Sequence, residues 1–193
     1  MEVKKIPKTE LKKIKKIWVK IVAPQEFNNV EIGESLTADP NNLINKHVTA
    51  NLMMLTGEMK RQNVKIKFII KKVEEDKVIA DTYGYRIVQS YAKRIMDNTK
   101  NRIEDSFICN TKDNTKLRVK PLISIKYNPK SSVLKTIRKD SKSMLIEEIK
   151  KQDYKDFINS LISYKIQKDM KHKLSKIYPV AVFEIRVLEK LEK

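Results

Sequence analysis

One cysteine, Cys109, stands among 193 residues, so no disulfide can form within the chain and a reducing compartment is implied. Three glycines are too few for a phosphate-cradling loop, and neither a GxGxxG nor a Walker-type motif occurs. Apolar runs such as FII at 68–70 and MLI at 144–146 are far too short to cross a bilayer. The opening residues, MEVKKIPKTELKKIKK, carry no apolar block behind their basic ones and do not form a signal peptide. Membrane-surface binding is disfavoured as well, because the basic helical segments lack an opposite face bearing Trp or Phe. The single tryptophan, Trp18, opens an apolar stretch and is expected in or near the core. These absences leave a cytoplasmic protein with no cofactor, no membrane partner and no small-molecule substrate.

What the chain has is positive charge. Forty-two Lys and Arg face 24 Asp and Glu, a formal charge of +18. A compact body so charged repels itself and attracts polyanions. Only seven of the cations are arginine. Lysine, a point charge without a fixed fork, suits phosphate backbone better than base edges. The charge is also gathered. The first twenty residues carry a net +6, the segment Lys126–Lys142 a net +5, and Lys165, Lys168, Lys171, Lys173 and Lys176 stand with one acid, Asp169.

Hydrophobic patterning divides the chain into a basic arm, residues 1–16, and a single domain, residues 17–193. IWVKIVAP, Glu31–Thr37, VTANLMML and Val64–Val73 read as strands, the last with clean alternation through Val64, Ile66 and Phe68. EED at 74–76 makes a hairpin turn into KVIADTY, with TYGYR as a further turn. Val88, Tyr91, Ala92, Ile95 and Thr99 share one face of a helix. IEDSFIC and TKLRVKPLISI are strands. Leu134, Ile137, Ser141, Leu145 and Ile149 form a helical stripe, and DYKDFINSLISY and IQKDMKHKLSKI are two shorter helices ended by Pro179. VAVFEIRVL closes the chain as a strand without simple alternation. The fold class is α+β: a β-barrel-like antiparallel sheet with helices in the C-terminal half.

Catalytic readings are weak. His47 and His172 have no second ligand nearby in sequence, and Cys109 at a strand end reads as a small core residue. Glu74-Glu75-Asp76 lies in a turn, and Glu147-Glu148 sits beside Lys150 and Lys151, so ordinary surface pairing accounts for both. The alternative to a binding protein is a metal-dependent nuclease or RNA-modifying enzyme with a basic groove, its carboxylates drawn from Asp81, Asp97 and Glu104. The binding reading is better supported. Asn128-Pro129 and Ser131-Ser132 interrupt regular structure among lysines, Ser132 is placed to cap the helix that follows, and Tyr127 offers a face for a base. The RNA-binding candidates are Lys4, Lys5, Lys12, Lys13, Lys15 and Lys16 of the arm, Arg86, Lys93 and Arg94 after the TYGYR turn, and Lys126, Tyr127, Lys130, Ser131, Ser132, Lys135, Arg138, Lys139 and Lys142 of the corner.

WVKIVAPQEFNNVEIGESLTADP, with Trp18, Ala23-Pro24, Phe27, Ile32-Gly33 and Leu36-Thr37, resembles the start of a small-subunit ribosomal protein family of archaea and eukaryotes, called S-three-a or e-S-one. The likeness continues at NLINKHVTANL, TYGYR, TIRK and KIYPVAVFEIRVL, over residues 17 to 188. The chain stops at Lys193, without the long acidic tail of eukaryotic members, and so resembles the archaeal ones. The resemblance implies a structural, non-catalytic constituent of the small ribosomal subunit. Its implied place is the platform near the mRNA exit, with small-subunit rRNA, neighbouring platform proteins and mRNA near its exit as partners.

Overall fold

The computed structural model describes residues 15–74, 77–96 and 102–191. Nine strands, β1 (Ile17–Val22), β2 (Glu31–Thr37), β3 (His47–Asn51), β4 (Val64–Val73), β5 (Lys77–Ile87), β6 (Arg102–Glu104), β7 (Phe107–Asn110), β8 (Lys116–Ile125) and β9 (Val180–Lys190), form one sheet. The helices are α1 (Leu52–Thr56), α2 (Gln89–Met96), α3 (Ser131–Lys151), α4 (Tyr154–Ile162) and α5 (Lys165–Ser175). None of them is long and apolar enough to cross a membrane.

β5 is the hub. It pairs antiparallel with β4 along most of its length, parallel with β1 near its start, and antiparallel with β9 through Gly84–Arg86. β9 runs on into β8, whose far side takes β6 and β7 in succession. The α+β class holds, with most helices in the C-terminal half, but two details of the sheet differ from expectation. The sheet does not close into a barrel: β4 and then β3 lie along one edge of β5, while its other edge takes β1 with β2 and, further along, β9 with β8, β6 and β7. Nor is it wholly antiparallel, because β1 joins β5 in parallel.

Local sequence explains most boundaries. The strand expected over VTANLMML ends at Asn51, whose Oδ1 accepts from the Met53 amide at 3.1 Å and caps α1. TYGYR is strand, not turn. A bulge absorbs Tyr83, the register stepping from Lys67↔Gly84 to Phe68↔Thr82, and β5 continues to Ile87. Trp18 is 67% exposed, contrary to expectation. Alternation in β1 buries Val19 and Ile21, so Trp18 and Lys20 fall on the outer face, Trp18 opposite Leu36 of β2.

The helices bury one stripe each. α3 packs Ile137, Ser141, Leu145 and Ile149, four residues apart. Ser141 is tolerated there because its hydroxyl donates to the Arg138 carbonyl at 3.0 Å. α4 buries Tyr154, Phe157, Ile158 and Leu161, and its Tyr154 amide donates to Asp113 Oδ2 at 3.2 Å, a cap supplied by the turn between β7 and β8. α5 lays Ile166, Met170 and Leu174 towards the sheet, against β9. β9 is covered on both faces at its middle, where Phe183, Glu184 and Ile185 are all buried, which is why it lacks alternation.

Candidate nucleic-acid interface

The corner after β8 begins where the Lys126 amide donates to the Pro179 carbonyl at 3.2 Å, tying the loop to the start of β9. Lys126, Tyr127 and Lys130 are exposed. Ser132 does not cap α3. The N-cap is Lys130, extended at φ −64°, ψ 152° and without a side-chain cap bond, and Ser132 already lies in the first turn. The reason is packing: the amides of Val133 and Leu134, which rest against the core, bond to the Lys130 carbonyl and pull the helix start forward. Ser131 and Ser132 remain exposed.

Along the outer side of α3, Lys135 and Lys139 are exposed and have no ion pair among the described residues. Arg138 and Lys142 lean onto the sheet instead. Arg138 Nη2 donates to the Glu104 carbonyl at 2.9 Å and its Nε lies 3.4 Å from Asp105 Oδ2. Lys142 Nζ lies 5.8 Å from the centre of the Phe107 ring.

A second basic surface, absent from the sequence reading except for Arg86, crosses the outer face of the sheet. Register places Asn51, Lys65, Arg86, Val187 and Lys120 in one transverse row over β3, β4, β5, β9 and β8. The adjoining row is Thr49, Lys67, Gly84, Glu189 and Arg118. Over them lies a groove of about 740 Å³ lined by Lys65, Lys67, Arg86, Lys120 and Arg186, with Glu189 its one acid. Arg86 Nη2 bonds to Glu189 Oε1 at 3.1 Å, and Lys67 Nζ sits 4.7 Å from the Tyr83 ring, whose centre lies 4.6 Å from that of the His47 ring, tilted to it by 57°. Lys65 and Lys120 have no ion pair among the described residues. These residues are far apart in sequence and form no local cluster. The available signal was cations at alternate strand positions, Lys65 and Lys67 in one strand and Lys116, Arg118 and Lys120 in another.

The two surfaces meet at β6. Glu104 accepts from Arg138 through its carbonyl and from Arg186 Nη1 through Oε2 at 3.1 Å, while Arg102 Nε lies 3.9 Å from Oε1. Because Arg186 also lines the groove, the groove and the α3 face form one continuous basic band.

The remaining candidates do not line the groove or lie outside the described residues. Lys93 and Arg94 occupy the last turn of α2, Arg94 resting 5.4 Å from the Tyr91 ring. Lys15 and Lys16 are exposed ahead of β1. Lys4, Lys5, Lys12 and Lys13 lie outside the described residues. On α5, Lys173 is neutralised by Glu148 at 2.9 Å, while Lys165, Lys168, Lys171 and Lys176 are exposed.

The carboxylates named for the enzymatic alternative are otherwise engaged. Burial pushes Asp81 up, but Lys71 and Lys190 outweigh it and hold its carboxyl below the ordinary value. Glu104 is held by arginines, and Asp97 lies outside the described residues. Among the described residues no group of three or more His, Cys, Asp and Glu is placed to hold a metal ion. Cys109 is buried, and burial pushes its thiol up to about 11 against the pull of Lys150, leaving little thiolate at neutral pH.

A packed sheet with a cationic groove on its outer face, joined through Arg186 and Glu104 to a lysine-rich helix, is the surface of a binding or structural protein of strongly basic class. The chain belongs to the Ribosomal S3Ae family, whose family model matches residues 4–193. It is 31% identical to the small ribosomal subunit protein eS1 of Methanothermobacter thermautotrophicus, over 90% of this chain and 91% of that one. It is also 32% identical to the protein of that name from Nanoarchaeum equitans (89% and 87%), and 30% identical to that from Methanopyrus kandleri (92% and 86%). It is therefore a ribosomal protein of archaeal type, a structural component rather than an enzyme.

Proposed function

We propose that the chain is a structural constituent of the small ribosomal subunit, binding small-subunit rRNA on the platform near the mRNA exit. The relatives' shared name supports the subunit. The observation that carries RNA binding is the continuous basic band from the sheet groove to α3. Lysines along it neutralise phosphates and release counterions, which supplies affinity without base readout. The corner residues Lys126, Tyr127, Lys130, Ser131 and Ser132 extend this surface, and in this reading residues 1–16 serve as a basic arm ahead of a single domain, residues 17–193. Neighbouring platform proteins and mRNA near its exit are the other partners in this reading, which places the chain in the cytoplasm.

The test is sedimentation of the tagged chain from cell extract, followed by mapping of its ultraviolet crosslinks to RNA. The expected result is co-migration with small subunits at low salt, release at high salt, and crosslinks in small-subunit rRNA from peptides of the band. A chain that stays at the top of the gradient at every salt concentration overturns the proposal. So does magnesium-dependent cleavage of labelled RNA by the purified protein, which would favour the nuclease.

A further inference from the structure

Seven arginines stand against 35 lysines, yet Arg102, Arg138 and Arg186, from β6, α3 and β9, converge on the acidic pair Glu104–Asp105. Hydrogen bonds fix two of them, and Arg102, 3.9 Å from Glu104 Oε1, is drawn in by charge alone. Arg138 bonds to the Glu104 carbonyl at 2.9 Å and approaches Asp105 at 3.4 Å, and Arg186 bonds to Glu104 Oε2 at 3.1 Å. The arginine side chains are 61, 56 and 40% exposed, against 42% for Glu104 and 27% for Asp105, which of the three Arg138 alone contacts. Each arginine thus spends only part of its five-donor fork on the protein, and the rest faces solvent. Three guanidinium groups against two carboxylates leave the spot positive. It stands where the groove passes into α3, so a backbone following the basic band crosses it.

We propose that Arg102, Arg138 and Arg186 form a phosphate anchor, in which forks pre-set by Glu104 and Asp105 grip a phosphodiester of the bound RNA while the surrounding lysines supply diffuse attraction. The assignment rests on the RNA-binding reading above. Its physical basis is geometry rather than charge: guanidinium matches phosphate oxygens in pairs, ammonium does not, and fixing the forks beforehand lowers the ordering cost of binding.

Two measurements test it. The first compares binding of small-subunit rRNA by the wild type and by the charge-conserving variant R102K/R138K/R186K across a salt series, with thermal unfolding as the check on folding. The expected result is an affinity loss of about tenfold or more at an unchanged salt slope. Wild-type affinity in a folded variant overturns the anchor. The second needs no variant and no RNA: the arginine Nε–H resonances of the wild type are followed by nuclear magnetic resonance during titration with inorganic phosphate. Shifts confined to Arg102, Arg138 and Arg186 support the anchor, and would do so even if the rRNA assay failed, in which case only the ribosomal RNA reading falls. A uniform response of all seven, or none, overturns it.

Discussion

A β-carbon on Gly84 would lie 2.6 Å from the Leu188 carbonyl oxygen and 3.3 Å from the Glu189 Cα. These are backbone atoms of β9 at the point where β5 joins it, and they cannot move aside as a flexible side chain can. Gly84→Ala is therefore expected to part the strands and to cost about 1–3 kcal/mol. Urea unfolding checks this: the midpoint should fall with the m-value unchanged, and a variant as stable as wild type would show that the contact relaxes freely.

Trp18 faces water opposite Leu36, away from Val19 and Ile21. As the only tryptophan, it reports its own environment. Emission of the free chain should lie at the red, water-exposed end and be readily quenched by iodide, and Trp18→Ala should shift stability by no more than about 0.5 kcal/mol. A blue-shifted, protected emission would contradict this placement.

The error over Trp18 illustrates what was legible in the sequence. Where a strand or helix lies is a matter of local pattern: β2 and β4 were readable to the residue, and the stripe from Ile137 to Ile149 gave α3 its buried face. A strand's parity follows from the whole alternation rather than from its largest side chain, so Val19 and Ile21 outvote Trp18. TYGYR reads locally as a turn because only the tertiary approach of β9 to Gly84 makes the glycine a strand residue. The groove was illegible for a different reason. Thr49, Lys67, Gly84 and Glu189 are neighbours only through register, and register across four strands is not a property of any one segment. The corner from Lys126 to Lys142, a run contiguous in sequence, was legible for the opposite reason.

Glu184 makes stability depend on pH. It is 4% exposed, and its Oε2 has no hydrogen-bond partner among the described residues. Burial raises its pKa from 4.5 to about 7, opposed by a hydrogen bond from Tyr164. The folded state therefore holds a proton that the unfolded state releases. Glu184's contribution is fully present below pH 4.5 and is lost as pH rises to about 7, a change of about 3 kcal/mol. Glu184→Gln, which keeps the shape and removes the titration, should flatten this decline: little change at pH 4, and stabilisation of about 3 kcal/mol at pH 8. Denaturant titrations at the two pH values decide the point, and equal effects at both would assign Glu184 an ordinary pKa.

The last prediction separates a built site from diffuse attraction. Lys65, Lys67 and Lys120 line the groove, whereas Lys165, Lys168 and Lys171 stand exposed on α5 outside it. Changing either trio to Gln removes the same charge; at the exposed positions each change costs about 0.5 kcal/mol of stability or less, and Lys67→Gln also gives up a contact with Tyr83, worth about 0.5–1 kcal/mol. If RNA backbone lies in the groove, each lost phosphate contact lowers the slope of log affinity against log salt by about 0.7–0.9. The groove trio should therefore lower it by about 2–3, with affinity falling to a similar extent on unrelated RNA sequences, since phosphate contacts carry no base information. The α5 trio should change the slope by well under one unit. Equal losses from both trios would mean that the RNA senses only the net +18, leaving the groove no special part in binding.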